Sequence, residues 1–312
     1  MPSVECIVIN WNAKSVIGKC IKSLWKAFGE YDFKITVVDN NSTDGSVQYL
    51  KSKHPDINLI ASKKNNGFAV ANNIAVKNST ADILLFVNPD TEIISGSDLL
   101  IDYLKQEEIS ACFGRLRYPN GEYQNFIRNF PSLLNQVAEI FFLPRFYPKK
   151  HELCEIIRVE DHKFYSAKKY IYAASGAFFG IKRKIFEEVG RFDEDYFVYG
   201  EETDLFYKMK QKKRKIFYDP NIEILHHHGE STSQNPMMYI MLQKNRLLFI
   251  KKNYGNFAFH FFRYATFIPY DLSRFGINLF LSIVRKNLKF AYKKKAFYHF
   301  KSLQQLLNVK GI

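Results

Sequence analysis

The chain has 312 residues, 46% of them hydrophobic and 24% charged, with a net charge of +14. That length and apolar content allow a sizeable core and exclude a disordered chain, leaving one large domain or a domain with an appendage. Cys6, Cys20, Cys112 and Cys154 form neither a CxxC pair nor a His/Cys cluster at zinc spacing, so a reducing cytoplasm is expected, with no structural zinc and no disulfide framework.

VECIVIN at residues 4–10 and KITVVD at 34–39 are β-branched runs that predict strands, and Ile17, Ile21, Leu24 and Trp25 between them recur at helical spacing. A second helix is predicted over Ser46–Lys53, a strand over 57–61, a third helix over Phe68–Lys77, and a buried strand in LLFV at 84–87. Nearly continuous apolar strands that alternate with helices imply a parallel sheet covered on both faces, an α/β Rossmann-like architecture. Ligands bind such a sheet beyond the carboxyl ends of its strands. Those ends hold Asn10 to Asn12, Asp39 to Asn41, Lys64 to Gly67, and Asn88 to Asp90. No glycine-rich GxGxxG or P-loop follows the first strand, so any diphosphate is held by other means.

Residues 109–172 read as strands and loops that bury part of a substrate. After them, YIYAASGAFFGIKRKIFEEVG predicts strand, small-residue turn, strand and helix. N-terminal to a further helix, Tyr199-Gly200-Glu201-Glu202-Thr203-Asp204 gathers carboxylates that either complement the helix dipole or, as like charges, raise one pKa for general-base work. Asp90, behind Pro89 at the tip of a buried strand, either binds a hard divalent cation or joins Asn88 in capping a following helix. Asp39 either accepts the imide N–H of a pyrimidine base or closes a capping turn. His226, His227 and His228 follow the strand-like IEIL, where an imidazole can ligate a metal or hold a phosphate oxygen; Lys244 and Arg246 lie downstream.

The tail carries the charge. Basic and acidic residues balance at 10 against 10 in residues 1–100 and 21 against 20 in 101–240, but stand at 14 against 1 in 241–312. Arg263, Asp271 and Arg274 interrupt any span long enough to cross a bilayer. Ile277, Phe280, Val284, Leu288 and Ala291 recur at helical spacing with Lys286, Lys289 and Lys293 off the stripe, as on a helix lying in an anionic membrane interface. A helical subdomain with a solvated basic face is the plainer reading. Nucleic acid is the other polyanion, but no nucleic-acid-binding motif accompanies the charge.

VINWNAK, VVDNNSTDGS, NNGFAVANN, FVNPDTEI, SGAFFGIKR, FDEDYFVYGEETDL and HHHGEST stand in this order over about residues 3–250. In that order they resemble the family 2 glycosyltransferases with the GT-A fold, and among them the rhamnosyltransferase-like branch. The resemblance implies a GT-A domain over residues 1–250, with a nucleotide-sugar half to 108 and an acceptor half from 109, and a helical tail over 251–312. It implies that Asp39 contacts the base and that Asp90 is the metal-binding carboxylate of a DxD motif in which Asn88 replaces the first Asp. Asn65, Gly67, Phe68 and Asn72 would line the donor pocket together with Asn10, Asn12 and Asn41. Glu202 would be the general base, with Glu201 and Asp204 as alternatives. His226, with His227 and His228 as register alternatives, would join Asp90 at a Mg2+ or Mn2+ ion, and Arg246 would help hold the diphosphate. Ser175, Gly176, Ala177 and Tyr199 would face the acceptor.

The expected activity is inverting transfer of one sugar, rhamnose by subfamily likeness, from a dTDP- or UDP-sugar to a glycan or lipid-linked acceptor. The expected location is the cytoplasm, peripheral on the inner face of the membrane, since no secretory signal opens the chain. A sugar nucleotidyltransferase shares the strand-helix alternation but would want a glycine-rich basic first loop. A non-enzymatic membrane- or nucleic-acid-binding protein would need only the tail.

Overall fold

All seven residues of the first strand are buried, because VECIVIN has a neighbour on either side. A computed structural model describes residues 2–132, 134–135, 138, 162–227 and 236–308. Strands β1 (Val4–Asn10), β2 (Phe33–Asp39), β3 (Asn58–Ala61) and β4 (Ile83–Val87) pair in the order β3-β2-β1-β4, all parallel. Helices α1 (Lys14–Phe28), α2 (Ser46–Lys53) and α3 (Phe68–Lys77) make the crossovers. β3 is the outer strand and is only half-buried, unlike the continuously buried strand expected there.

Beyond β4 the sheet turns mixed. After β5 (Thr91–Ser95) and α4 (Ser97–Lys105), the long β6 (Ile109–Arg117) enters the same sheet, and β7 (Ile127–Arg128) starts a small second one. Helix α5 (His162–Tyr165) leads to β8 (Lys169–Ile171), β9 (Ala173–Ala174), β10 (Phe178–Lys182) and α6 (Arg183–Glu188). α7 (Glu201–Gln211) and β11 (Lys215–His226) follow. β10 lies antiparallel between β4 and β6, while β11 pairs parallel with β6 and antiparallel with β5 and β8. This arrangement carries the end of β11 to the turn between β4 and β5. A cluster of Phe86, Phe113, Phe179, Phe186, Phe192 and Phe206, with ring centroids about 5 Å apart, fills the core beneath.

The described residues divide into two units: 2–130 with 162–227, and a second that includes 236–308. In the second, α8 (Pro236–Phe262) runs through the expected boundary at 250 and holds one non-helical residue, Gly255. A π-helical turn over Arg263–Phe267 leads to α9 (Ile268–Val284), and a 3-10 turn to α10 (Lys289–Asn308). The stripe from Ile277 to Ala291 therefore lies on two helices and not on one. Arg285 leaves helical geometry at φ −96° and ψ 78°, and α10 folds back onto α9, where Phe275 and Phe300 rings meet at 5.8 Å. Among the described residues no helix is long and apolar enough to cross a membrane.

Candidate active site

The first strand end is built on amides. Asn10 Nδ2 donates to Asp39 Oδ2 at 2.6 Å and to Ser42 Oγ at 3.1 Å, and the Ser42 N–H donates to Asp39 Oδ1 at 2.9 Å. Asp39 thus does not cap α2; Gly45 is the residue before that helix, and Asp44 accepts from the Ser46 N–H and hydroxyl. Asn12 accepts from the Thr43 N–H and, like Asn41, adopts a left-handed conformation, at φ 54° and 64° respectively, which asparagine tolerates better than most residues. Asn10 Oδ1 is buried with no hydrogen-bond partner, an acceptor aimed into this corner.

A second set of contacts closes the next corner. Asn40 Nδ2 donates to the Gly67 carbonyl at 2.9 Å, the Gly67 N–H donates to Asn65 Oδ1, and the Phe68 N–H donates to the Phe197 carbonyl at 2.7 Å. A Cβ on Gly67 would collide with that same Phe197 carbonyl oxygen, and its φ of 80° also requires glycine. Asn72, buried in α3, donates back to the Phe68 carbonyl. The 65–68 turn is therefore locked to the loop that leads to Glu201.

Tyr199 and Gly200 both have positive φ, 67° and 99°, a conformation a tyrosine rarely takes and one that clusters at functional sites. They bring the chain into α7 so that Glu201 and Glu202 are both buried in its first turn. The Gly200 N–H donates to Glu202 Oε2 at 3.1 Å. Burial first, and then the Glu202 carboxylate, push the Glu201 pKa well above the usual carboxylate range, against a smaller opposing pull from Arg128. Glu201 therefore holds a proton more tightly than an ordinary carboxyl does. Asp204 is held by Lys208 Nζ at 2.6 Å, one helical turn on. Glu202 thus caps the start of the helix and is also a buried carboxylate beside a second one.

Gly176 lies against Glu202, with space for a Cβ 3.5 Å from the Glu202 Cβ. The neighbouring Ala177 carbonyl accepts from the Asn88 N–H at 2.8 Å, and Ser175 is tied by its N–H to the Phe126 carbonyl. Asn88 works through its main chain: its carbonyl accepts from the Thr91 N–H and hydroxyl and from the Cys20 thiol. Pro89 and Asp90 form a turn into β5, so no helix follows for them to cap.

Across that turn stands His226. Its Nε2 is 3.5 Å from Asp90 Oδ1, and the His227 N–H donates to the Asp90 carbonyl at 2.9 Å. Gln124 grips His226 twice, its Nε2 donating to the His226 carbonyl at 2.9 Å while its Oε1 lies 2.8 Å from Nδ1. Since a carbonyl cannot donate, the first bond fixes the amide orientation, and Nδ1 must then carry the proton. Nε2 is the ring nitrogen that faces the Asp90 carboxylate, and so the one placed to bind a metal. One carboxylate and one imidazole, completed by diphosphate oxygens, fit the donor set of a Mg2+ or Mn2+ ion. Among the described residues no group of three His, Cys, Asp or Glu side chains forms a self-sufficient metal cage. His227 turns instead to Glu92, while His228 lies outside the described residues.

Expected residues of the first unit thus meet pairwise along the strand ends: Asn10 with Asp39, the 65–68 turn with Asn40 and Phe197, Gly176 with Glu202, Ala177 with Asn88, and Asp90 with His226. Arg246 belongs to α8 of the second unit. Sequence reasoning missed Gln124, which stands in no motif, and Arg128, which lies in β7 with its Nε buried and unpaired. Arg128 is a cation that acts on Glu201; its signal in the sequence was a charge inside the aromatic run FIRNF.

A sheet that is parallel on one side of β4 and mixed on the other, with a carboxylate just past the β4 end, is the arrangement of the GT-A fold. Two solved structures share the fold: the mannosyltransferase PcManGT from Pyrobaculum calidifontis in complex with GDP-Man and Mn2+, and GalNAc-T7 with UDP, GalNAc and Mn2+. The first has a TM-score of 0.58 and 16% identity, over 99% of this chain and 88% of that one. The second has a TM-score of 0.57 and 13% identity, over 78% of this chain and 47% of that one.

The sequence profile of Glycosyl transferase family 2 matches residues 5–190, and the chain belongs to that family. It is rhamnosyltransferase-like: it is 28% identical over 224 residues to the N-acetylglucosaminyl-diphospho-decaprenol L-rhamnosyltransferase of Mycobacterium tuberculosis, covering 68% of this chain and 72% of that one. It is also 23% identical over 273 residues to the low-salt glycan biosynthesis hexosyltransferase Agl10 of Haloferax volcanii, covering 81% and 76%.

Proposed function

We propose that this glycosyltransferase moves a single sugar, rhamnose before others, from a dTDP- or UDP-sugar to a hydroxyl of a lipid-linked glycan acceptor, with inversion at the anomeric carbon. One observation carries the reading: Asp90 and His226 face each other at 3.5 Å on the strand-end rim that also holds Asn10 and Asp39. The acceptor named for the Mycobacterium tuberculosis relative supports a lipid diphosphate carrier and rhamnose as the sugar.

Asn10 and Asp39 seat the nucleoside end of the donor, and the 65–68 turn encloses it. Asp90 and His226 would hold a Mg2+ or Mn2+ ion, which neutralises diphosphate charge when bound. The Ser175 to Ala177 turn presents the acceptor hydroxyl to Glu202, with Tyr199 beside it. Glu202 takes the hydroxyl proton as that oxygen bonds to the anomeric carbon, and the bond to the diphosphate oxygen breaks on the opposite face. Burial raises the Glu201 pKa, and Glu202, which faces Gly176, is the carboxylate assigned to take the proton. The reaction belongs at the inner face of the cytoplasmic membrane, where nucleotide sugars meet lipid-linked acceptors.

The test is transfer to a short-chain prenyl-diphosphate N-acetylglucosamine, with dTDP-rhamnose and UDP-sugars offered separately and the product linkage read by NMR. A single rhamnose added with inverted configuration is the expected product. Retained configuration, or no transfer from any of these donors, contradicts the proposal.

A further inference from the structure

Helix α9 has its polarity reversed. The side chains it buries are Asp271, Asn278 and Ser282, while Leu272, Phe280, Ile283 and Val284 are 59%, 63%, 69% and 59% exposed. At 100° per residue these apolar positions, with Ile277, fall on one arc opposite the buried polar ones, and no charged residue interrupts that arc. A helix of a water-soluble domain does the opposite. The buried polar face is tied down from within its unit: Asp271 Oδ1 accepts from the Tyr239 hydroxyl at 2.7 Å and pairs with His299 Nδ1 at 2.8 Å. α9 is thus held with its apolar face outward by a fixed internal network, and not by a local accident of one side chain.

Charge says what covers that face. The single acidic residue of 241–312 is Asp271, which is buried, so over residues 241–308 no acidic side chain reaches solvent. Beside the apolar arc, at and just after the end of α9, Arg285, Lys289, Lys293, Lys294 and Lys295 are all exposed, as is Phe290. An apolar strip edged by cations and free of anions matches the interface of an anionic bilayer, whereas two copies of the same face would bring like charges together. At 17 residues α9 is about 26 Å long, short of the roughly 30 Å hydrocarbon core, so it lies on the surface and does not cross.

We infer that the outward face of α9, with the lysines at the start of α10, is a docking surface for a bilayer containing anionic phospholipid. This deepens the membrane-peripheral location in the proposed function, and it stands or falls separately from the chemistry.

The experiment is flotation of the full chain with phosphatidylcholine vesicles and with mixed phosphatidylcholine and phosphatidylglycerol vesicles, at low and high salt. Three proteins are compared: wild type, a Phe280→Glu/Ile283→Glu variant, and a Lys289→Gln/Lys293→Gln/Lys294→Gln/Lys295→Gln variant. Both variants change exposed positions, and unchanged melting verifies their folding. Wild type is expected to float with the anionic vesicles. The glutamate variant should lose at least tenfold in affinity, and the glutamine variant should lose the preference for anionic lipid.

Failure of wild type to float, or undiminished flotation of the glutamate variant, overturns the inference. So does a wild-type dimer in sedimentation that the glutamate variant dissociates, which would make the face a subunit contact. Transfer to a water-soluble acceptor analogue without vesicles, measured on the same preparations, reports on the transferase chemistry alone.

Discussion

His226 Nε2 and Asp90 Oδ1 stand 3.5 Å apart, although one residue closes β11 and the other precedes β5. The antiparallel pairing of those two strands puts them in register, with His226 opposite Thr91. If this pair holds the cation, His226→Ala should weaken Mn2+ binding at least tenfold in the presence of dTDP, as read from the electron paramagnetic resonance signal of free Mn2+. Unchanged affinity would remove His226 from the metal set.

Gln124 acts through His226. Replacing it with leucine keeps the size but frees the imidazole to rotate and change tautomer, and loss of such a partner typically costs about 10- to 100-fold in metal affinity. Long-range proton-nitrogen NMR should report protonation at Nδ1 of His226 in wild type and a mixture in Gln124→Leu. A purely structural role would lower the melting temperature without altering that tautomer signal.

The roles proposed for Glu202 and Glu201 differ although the two share a helix turn. Glu202→Gln should lower kcat by about 100- to 10,000-fold, the usual contribution of a positioned general base, while leaving donor Kd unchanged. Glu201→Gln, which mimics the protonated form that burial favours, should cost far less. Equal losses in the two variants would show that the assignment of base to Glu202 is wrong.

The same pair predicts a pH signature in stability. Burial holds the Glu201 pKa above its ordinary value of 4.5, so the folded protein keeps a proton that the unfolded chain releases. Stability from this group is therefore complete below the ordinary value and is lost as pH rises toward the folded one. Glu201→Gln should be at least as stable as wild type at neutral pH, with the difference vanishing near pH 4 in urea titrations. A variant less stable at every pH would mean that the buried carboxyl makes bonds an amide cannot replace.

Cys20 lies under the Asn88 turn, and burial pushes its thiol up to about 12. Cys6 is raised likewise, well above the ordinary thiol value. Neither should react with iodoacetamide at pH 8 in native protein, and both should react in denaturant, as followed by mass spectrometry. Rapid native labelling at Cys20 would mean that the turn carrying Asp90 opens freely.

The N-terminal half was legible because its signals are local. α2 and α3 have the bounds their sequence predicts, and β1, β2 and β4 are apolar runs that a parallel sheet buries on both faces. What was not legible depends on distant pairing. IEIL announced only the end of β11, whose 12 residues also pass through Asp219 and Pro220, where the register with β6 shifts. Gln124 had no motif, because one amide bonding a backbone carbonyl and an imidazole needs no neighbour of fixed type in sequence. In the tail the apolar period showed a stripe but not the turn at Arg285 that splits it, since hydrophobic spacing continues unbroken from Val284 to Leu288 and Ala291.

The proposed function requires that the turn after β4 carry Asp90 in order to hold a cation on a nucleoside diphosphate. Calorimetric titration of dTDP and UDP into wild type and Asp90→Ala, each with and without Mn2+, tests it most directly. Mn2+-dependent binding of at least one nucleotide, lost in Asp90→Ala, is the expected result. Binding of equal strength in the variant, or no binding by wild type under any metal condition, would contradict it.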